Sequence, residues 1–112
     1  MRGRCLRLSS ATEIGRAGER HVVDWLRAEG YSIMRQNTLA SGSTNIEAKS
    51  SSKRLLVQIK TAVYPTNPAQ LLTEEEKAIR SRAARLEAQA WEARVQVGST
   101  LDLIGNVQWR RI

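Results

Sequence analysis

Four polar residues set in otherwise apolar stretches, Asn45, Glu47, Gln58 and Lys60, are where this sequence could do chemistry. Side chains alternate along a strand, so Asn45 and Glu47 share one face of a first extended segment, and Gln58 and Lys60 share one face of a second. Ser50, Ser51 and Ser52 make a turn short enough for Asn45 to Lys49 and Leu55 to Val63 to run as antiparallel neighbours. The four polar groups are then expected on adjoining patches of one sheet face. Desolvating an ammonium is expensive, so Lys60 within the run Leu55 to Val63 requires a partner or a task.

The surrounding elements must position these groups. Ser10 or Thr12 caps a first helix whose apolar positions Ile14, Val22, Trp25 and Leu26 follow the helical period, with Gly30 as its stop. Tyr31 to Arg35 reads as a strand with Ile33 inward, and Asn37 to Thr44 as a polar loop. Pro65 and Pro68 bracket an irregular link. Thr73 followed by Glu76 has the capping-box form and opens a second helix, with Ile79, Ala83, Leu86 and Ala90 as its apolar stripe. Ala93 to Val97 and Val107 to Ile112 are strand-like, with Leu101 to Ile104 a candidate short extended piece between them. The order of helix, three strands, helix and one or two strands predicts an α/β (α+β) fold, a central mixed sheet flanked by helices. A chain of 112 residues makes one domain, 1–112, with residues 1–10 a flexible basic tail.

Composition narrows the chemistry. Cys5 is the single cysteine and His21 the single histidine, which excludes an internal disulfide, a cysteine-based zinc site and paired-histidine ligation. Any metal is left to oxygen ligands. There is no apolar run of the roughly 20 residues that span a bilayer, and the N-terminus lacks the apolar stretch and cleavage site of a secretory signal. A cytoplasmic protein without a membrane partner is expected. A net charge of +7, carried mostly by arginine, makes nucleic acid the expected partner. Trp25, Trp91 and Trp109 read as core or dimer anchors, because no single segment carries an aromatic cluster.

Gly15, Gly18 and Glu19 on the first helix, then Gly30-Tyr31, Asn45-Ile46-Glu47-Ala48 and Val57-Gln58-Ile59-Lys60-Thr61 resemble the PD-(D/E)xK nuclease superfamily, and within it the archaeal-type Holliday-junction resolvases. The resemblance covers about residues 12 to 97 and implies a restriction-endonuclease-like core. It also implies a structure-selective endonuclease that hydrolyses phosphodiester bonds in branched or four-way DNA, as a homodimer, with Mg2+ or Mn2+. The catalytic positions of that family correspond to Glu19, Asn45, Gln58 and Lys60, of which Glu19, Asn45 and Gln58 occupy the metal-ligand positions. The chain departs from the family at Asn45, which stands for an aspartate, and at Gln58, which stands for an acid that some relatives also replace by glutamine. Glu47 is a possible substitute ligand. Arg16, Arg20, Arg35, Ser41, Gly42, Ser43 and Thr61 are the expected DNA contacts; the glycine-containing loop is alternatively only a connector, and Thr61 only a packed strand residue.

Two further readings stand beside a nuclease. One is a DNA-binding module of the same fold, catalytically disabled by Asn45. The other is a structural or regulatory protein with little salt-sensitive affinity for DNA.

Overall fold

The computed structural model describes residues 9–38 and 44–112; the basic tail up to residue 8, with Cys5, and Ser41, Gly42 and Ser43 lie outside the described residues. Helix α1 (Ala11–Ala28) begins at Ser10. The Ser10 hydroxyl accepts the Glu13 amide at 3.1 Å, and the Glu13 carboxylate accepts the Ser10 amide at 2.9 Å. This reciprocal pair satisfies two of the donors every helix start leaves open. At the other end Gly30 takes φ 94°, a left-handed conformation that costs glycine least.

Five strands follow in sheet order β1 (Ser32–Thr38), β2 (Thr44–Lys49), β3 (Arg54–Val63), β4 (Gln89–Val97) and β5 (Gln108–Arg111). All neighbours are antiparallel except β3 and β4, which run parallel and are joined through helix α2 (Thr73–Leu86). A parallel pair needs a crossover, and this one carries a helix as such connections usually do. The sheet is mixed, as expected.

Alternation along β3 divides the protein into two layers. Leu55, Val57 and Ile59 pack with Val22, Val23 and Leu26 of α1, together with Ile46, Ala48, Ala93, Val95 and Val97. Leu56 points the other way and packs with Leu71, Ile79, Ala83 and Ala90 on the α2 side. Each fully buried aliphatic side chain contributes about 1.5–3 kcal/mol, so the larger α1 layer is the main source of stability. The result is an α+β sheet with one helix on each face, an arrangement consistent with a restriction-endonuclease-like core.

Several local expectations need correction. The first strand extends through Thr38 rather than ending at Arg35. Leu72, not Thr73, is the N-cap of α2; Glu75 accepts the Leu72 amide at 2.8 Å, and leucine has no oxygen to complete the reciprocal pair. Ala90 belongs to β4 and joins the same apolar cluster from the sheet side. Leu101 to Ile104 contributes only an isolated bridge, Leu103 opposite Val97.

Candidate functional site

The sheet register places Asn45 opposite Gln58, Gln58 opposite Glu92, and Glu92 opposite Arg110, a polar row crossing four strands. All four lie on the face that carries Leu56 and Ala90, beneath α2. Lys60 stands in the next row, opposite Arg94. The convergence of Asn45, Gln58 and Lys60 on one face is therefore present. Glu47 shares that face but lies opposite Leu56, on the far side of the Asn45–Gln58 row from Lys60. Its carboxylate is 3.9 Å from the Arg54 guanidinium.

Glu75, in the first turn of α2, supplies the partner that Lys60 requires. Lys60 Nζ donates to Glu75 Oε2 at 2.8 Å, and Gln58 Nε2 lies 3.5 Å from the same oxygen. Burial alone pushes the Glu75 carboxyl up, but the Leu72 amide and the Lys60 ammonium outweigh it and hold its pKa below the ordinary value. The ammonium is thus already neutralised by its own fold.

Glu92 is fully buried and carries a second ionic cluster. Arg110 reaches it through two nitrogens, at 2.9 and 3.2 Å, while the Leu71 amide donates to it at 2.7 Å and Arg94 lies 3.6 Å away. Arg110 also donates to Glu76 at 2.6 Å. Desolvation raises the pKa of Glu92, yet Arg110, Leu71 and Arg94 together hold it below the ordinary value; the Arg110 pKa is raised in turn by Glu92 and Glu76. Paired and bonded in this way, a buried carboxylate can remain ionised. Sequence reading missed both Glu75 and Glu92. The three consecutive glutamates at 74–76 read as helix-start charge, and nothing near Glu92 in the chain marks Arg110 as its partner.

Glu19 is not part of this constellation. It sits on α1, which packs on the opposite face of the sheet, and lines an open depression of about 540 Å³ with Arg16, Arg20, Arg27, Asp24 and Gln36. The proposed ligand set Glu19, Asn45 and Gln58 is accordingly split between two faces. Among the described residues no three His, Cys, Asp or Glu side chains are grouped to hold a metal. Asn45 Oδ1 is buried with no hydrogen-bond partner, which leaves one oxygen open to a cation, but it is neutral. The acid meeting Gln58 and Lys60 is Glu75, whose charge is spent on Lys60. Hard dications prefer several carboxylate oxygens, so this donor set does not fit a resident Mg2+ or Mn2+.

The expected DNA contacts also divide. Arg16 and Arg20 are exposed together on α1, whereas Arg35 lies opposite Glu47 on the α2 side of the sheet. Of the two readings of Thr61, a phosphate contact or a packed strand residue, the geometry favours packing. Thr61 faces α1, where Gly18 passes so close that a Cβ there would sit 1.8 Å from Thr61 Oγ1, and that hydroxyl is buried without a partner. Gly18 is therefore required by helix–strand contact.

No protein-family model and no curated protein matches the chain. Among the described residues no helix is long and apolar enough to cross a membrane.

Proposed function

We propose that this protein is a DNA-binding domain built on a nuclease-like fold, with its former catalytic face converted to structural use. The observation that carries this reading is the fate of Lys60. Its charge is taken by Glu75, its neighbours Asn45 and Gln58 are uncharged amides, and Glu19 lies across the sheet. Positive charge is displayed elsewhere instead: Arg16, Arg20 and Arg27 are exposed on α1, continuing the run of Arg2, Arg4 and Arg7 in the sequence ahead of it, within a net charge of +7. Guanidinium groups suit phosphate oxygens, and such binding gains from counterion release. Branched DNA and a homodimer, which would bring two basic faces to a junction, follow from the resemblance and belong to this proposal.

The test is fluorescence anisotropy of labelled duplex and four-way DNA across a salt series. Binding should weaken linearly in log–log form, and Arg16→Glu with Arg20→Glu should reduce the slope by about 1 to 2 phosphate equivalents. Salt-independent or absent binding would sink the proposal.

A second reading, a structure-selective endonuclease working with magnesium or manganese, is favoured by one observation. Asn45, Gln58 and Lys60 share one sheet face with Asn45 Oδ1 unpartnered. It predicts cleavage, which the binding-domain reading does not.

A further inference from the structure

Trp25, Trp91 and Trp109, widely separated in sequence, form one aromatic cluster. Trp25 and Trp109 have ring centroids 4.8 Å apart with planes tilted by 41°, and Trp91 meets Trp109 edge-on at 6.2 Å. Trp91 and Trp109 project from neighbouring strands and pack against the α1-side core. Trp25, from the last turn of α1, remains 41% exposed. The three line an open concavity of about 840 Å³, closed on another side by the Ser50 to Lys53 turn. It lies at the end of the sheet where β3 begins, on the face opposite Lys60 and remote from the ionic clusters.

This concavity has more than apolar surface. The Arg111 guanidinium lies over the Trp91 ring at 5.7 Å, and Lys53 stands in the lining, with Glu29 its one acid. Gln89 accepts the Trp91 indole hydrogen at 3.2 Å, but Trp109 Nε1 is buried and has no acceptor. An indole donor normally finds a partner when shielded from water. A planar ring attached to a phosphate would use the exposed aromatic face of Trp25, with Lys53 in the lining and Arg111 beside Trp91 as the nearby cations. Every nucleobase offers a π-face, and an unpaired one is free to stack.

We propose that this concavity binds an unpaired DNA base, stacked against Trp25, with Lys53 and Arg111 taking the adjacent phosphates. The inference deepens the DNA-binding reading and rests on it: the arginines of α1 hold the backbone, and Trp25 near the end of the same helix, backed by Trp109 of β5, selects DNA with bases out of the duplex. Junctions, gaps and frayed ends share that property.

The experiment measures anisotropy of a labelled oligothymidylate and a blunt duplex of equal length against the unaltered protein, Trp25→Ala, Trp25→Phe and Lys53→Ala. Trp25→Ala should weaken oligothymidylate binding about tenfold while duplex affinity stays within twofold, and Trp25→Phe should restore most of the loss. Lys53→Ala should weaken the same complex and reduce its salt slope by about 0.7. Unchanged oligothymidylate affinity in Trp25→Ala, with duplex still bound, would overturn the base site and leave the DNA-binding reading intact. Equal weakening toward both DNAs would also overturn it. Binding of neither DNA would overturn the DNA-binding reading itself. Sedimentation of the same samples adds one further outcome: a dimer lost in Trp25→Ala would assign the concavity to a second copy of the chain, against the proposal.

Discussion

Lys60 Nζ lies 2.8 Å from Glu75 Oε2, an ion pair that ties the middle of the sheet to the first turn of α2. The same carboxylate accepts the Leu72 amide at 2.8 Å through its other oxygen. One side chain thus caps a helix and neutralises the lysine at the centre of the polar face. The arrangement predicts that Lys60→Ala leaves duplex DNA affinity within twofold, in contrast to charge reversal on α1. The unfolding free energy should fall by about 1 kcal/mol, since both partners of the pair are only partly exposed. Parallel anisotropy and urea titrations check both values.

Glu92 and Arg110 make the more consequential pair. Removing Arg110 leaves a fully buried carboxylate without its bidentate partner, and Arg110→Ala is expected to cost about 3 kcal/mol in urea unfolding. Glu92→Gln removes the buried charge while keeping an acceptor for the Leu71 amide, so it should cost less. In the double variant Glu92→Gln should recover part of the Arg110→Ala loss. Strict additivity would mean that the two residues are not coupled.

Stability should respond to acid in a defined direction. The pKa values of Glu75 and Glu92 are both held below the ordinary 4.5 in the folded state. The unfolded chain therefore binds protons first, and the contribution of these groups is complete above that value and lost as pH falls through their folded pKa values. Urea midpoints measured from neutrality into acid should fall below pH 4.5, and Glu92→Gln should flatten that decline. A profile identical in Glu92→Gln would remove Glu92 from the account.

The close crossing of α1 over β3 gives a steric prediction. At Gly18 an added Cβ would meet Thr61 Oγ1 at 1.8 Å and Thr61 Cβ at 2.9 Å. Gly18→Ala is expected to destabilise by about 1–3 kcal/mol despite the better helix propensity of alanine. Thr61→Ala should relieve part of that cost, because it removes the nearer atom, whose buried oxygen has no partner to lose. Denaturant unfolding of the two single variants and the double variant checks this.

What the sequence made legible was local. The period-2 pattern placed Asn45 and Glu47 on one side of β2, and Gln58 and Lys60 on one side of β3, and the serine turn fixed their antiparallel pairing. Two candidate caps, Ser10 and Thr12, and the left-handed position of Gly30 marked the ends of α1, and Ser10 is the cap. Ala90 was misassigned because its spacing from Ile79, Ala83 and Leu86 also fits a helix, while alanine has little preference that would mark a strand. Long-range relations were not legible. The partner of Glu92 lies on a neighbouring strand at Arg110, and the partner of Lys60 comes from the crossover helix. The aromatic concavity draws its three tryptophans from α1, β4 and β5, so their convergence could not be read from any one segment; Trp91 and Trp109 pack against the core, and Trp25 keeps an exposed ring. The side of the sheet on which Glu19 stands depends on how α1 docks, which one helix's pattern does not specify.

If the polar face binds no catalytic metal, DNA is held without being cut. Labelled four-way junction and matching linear duplex, incubated with magnesium or manganese and resolved on denaturing gels, test it most directly, using the unaltered protein beside Asn45→Asp and Lys60→Ala. DNA should be retarded but uncut with the unaltered protein and with Lys60→Ala. Metal-dependent cutting by the unaltered protein, abolished by Lys60→Ala, would contradict it and establish an active nuclease that tolerates an amide at Asn45.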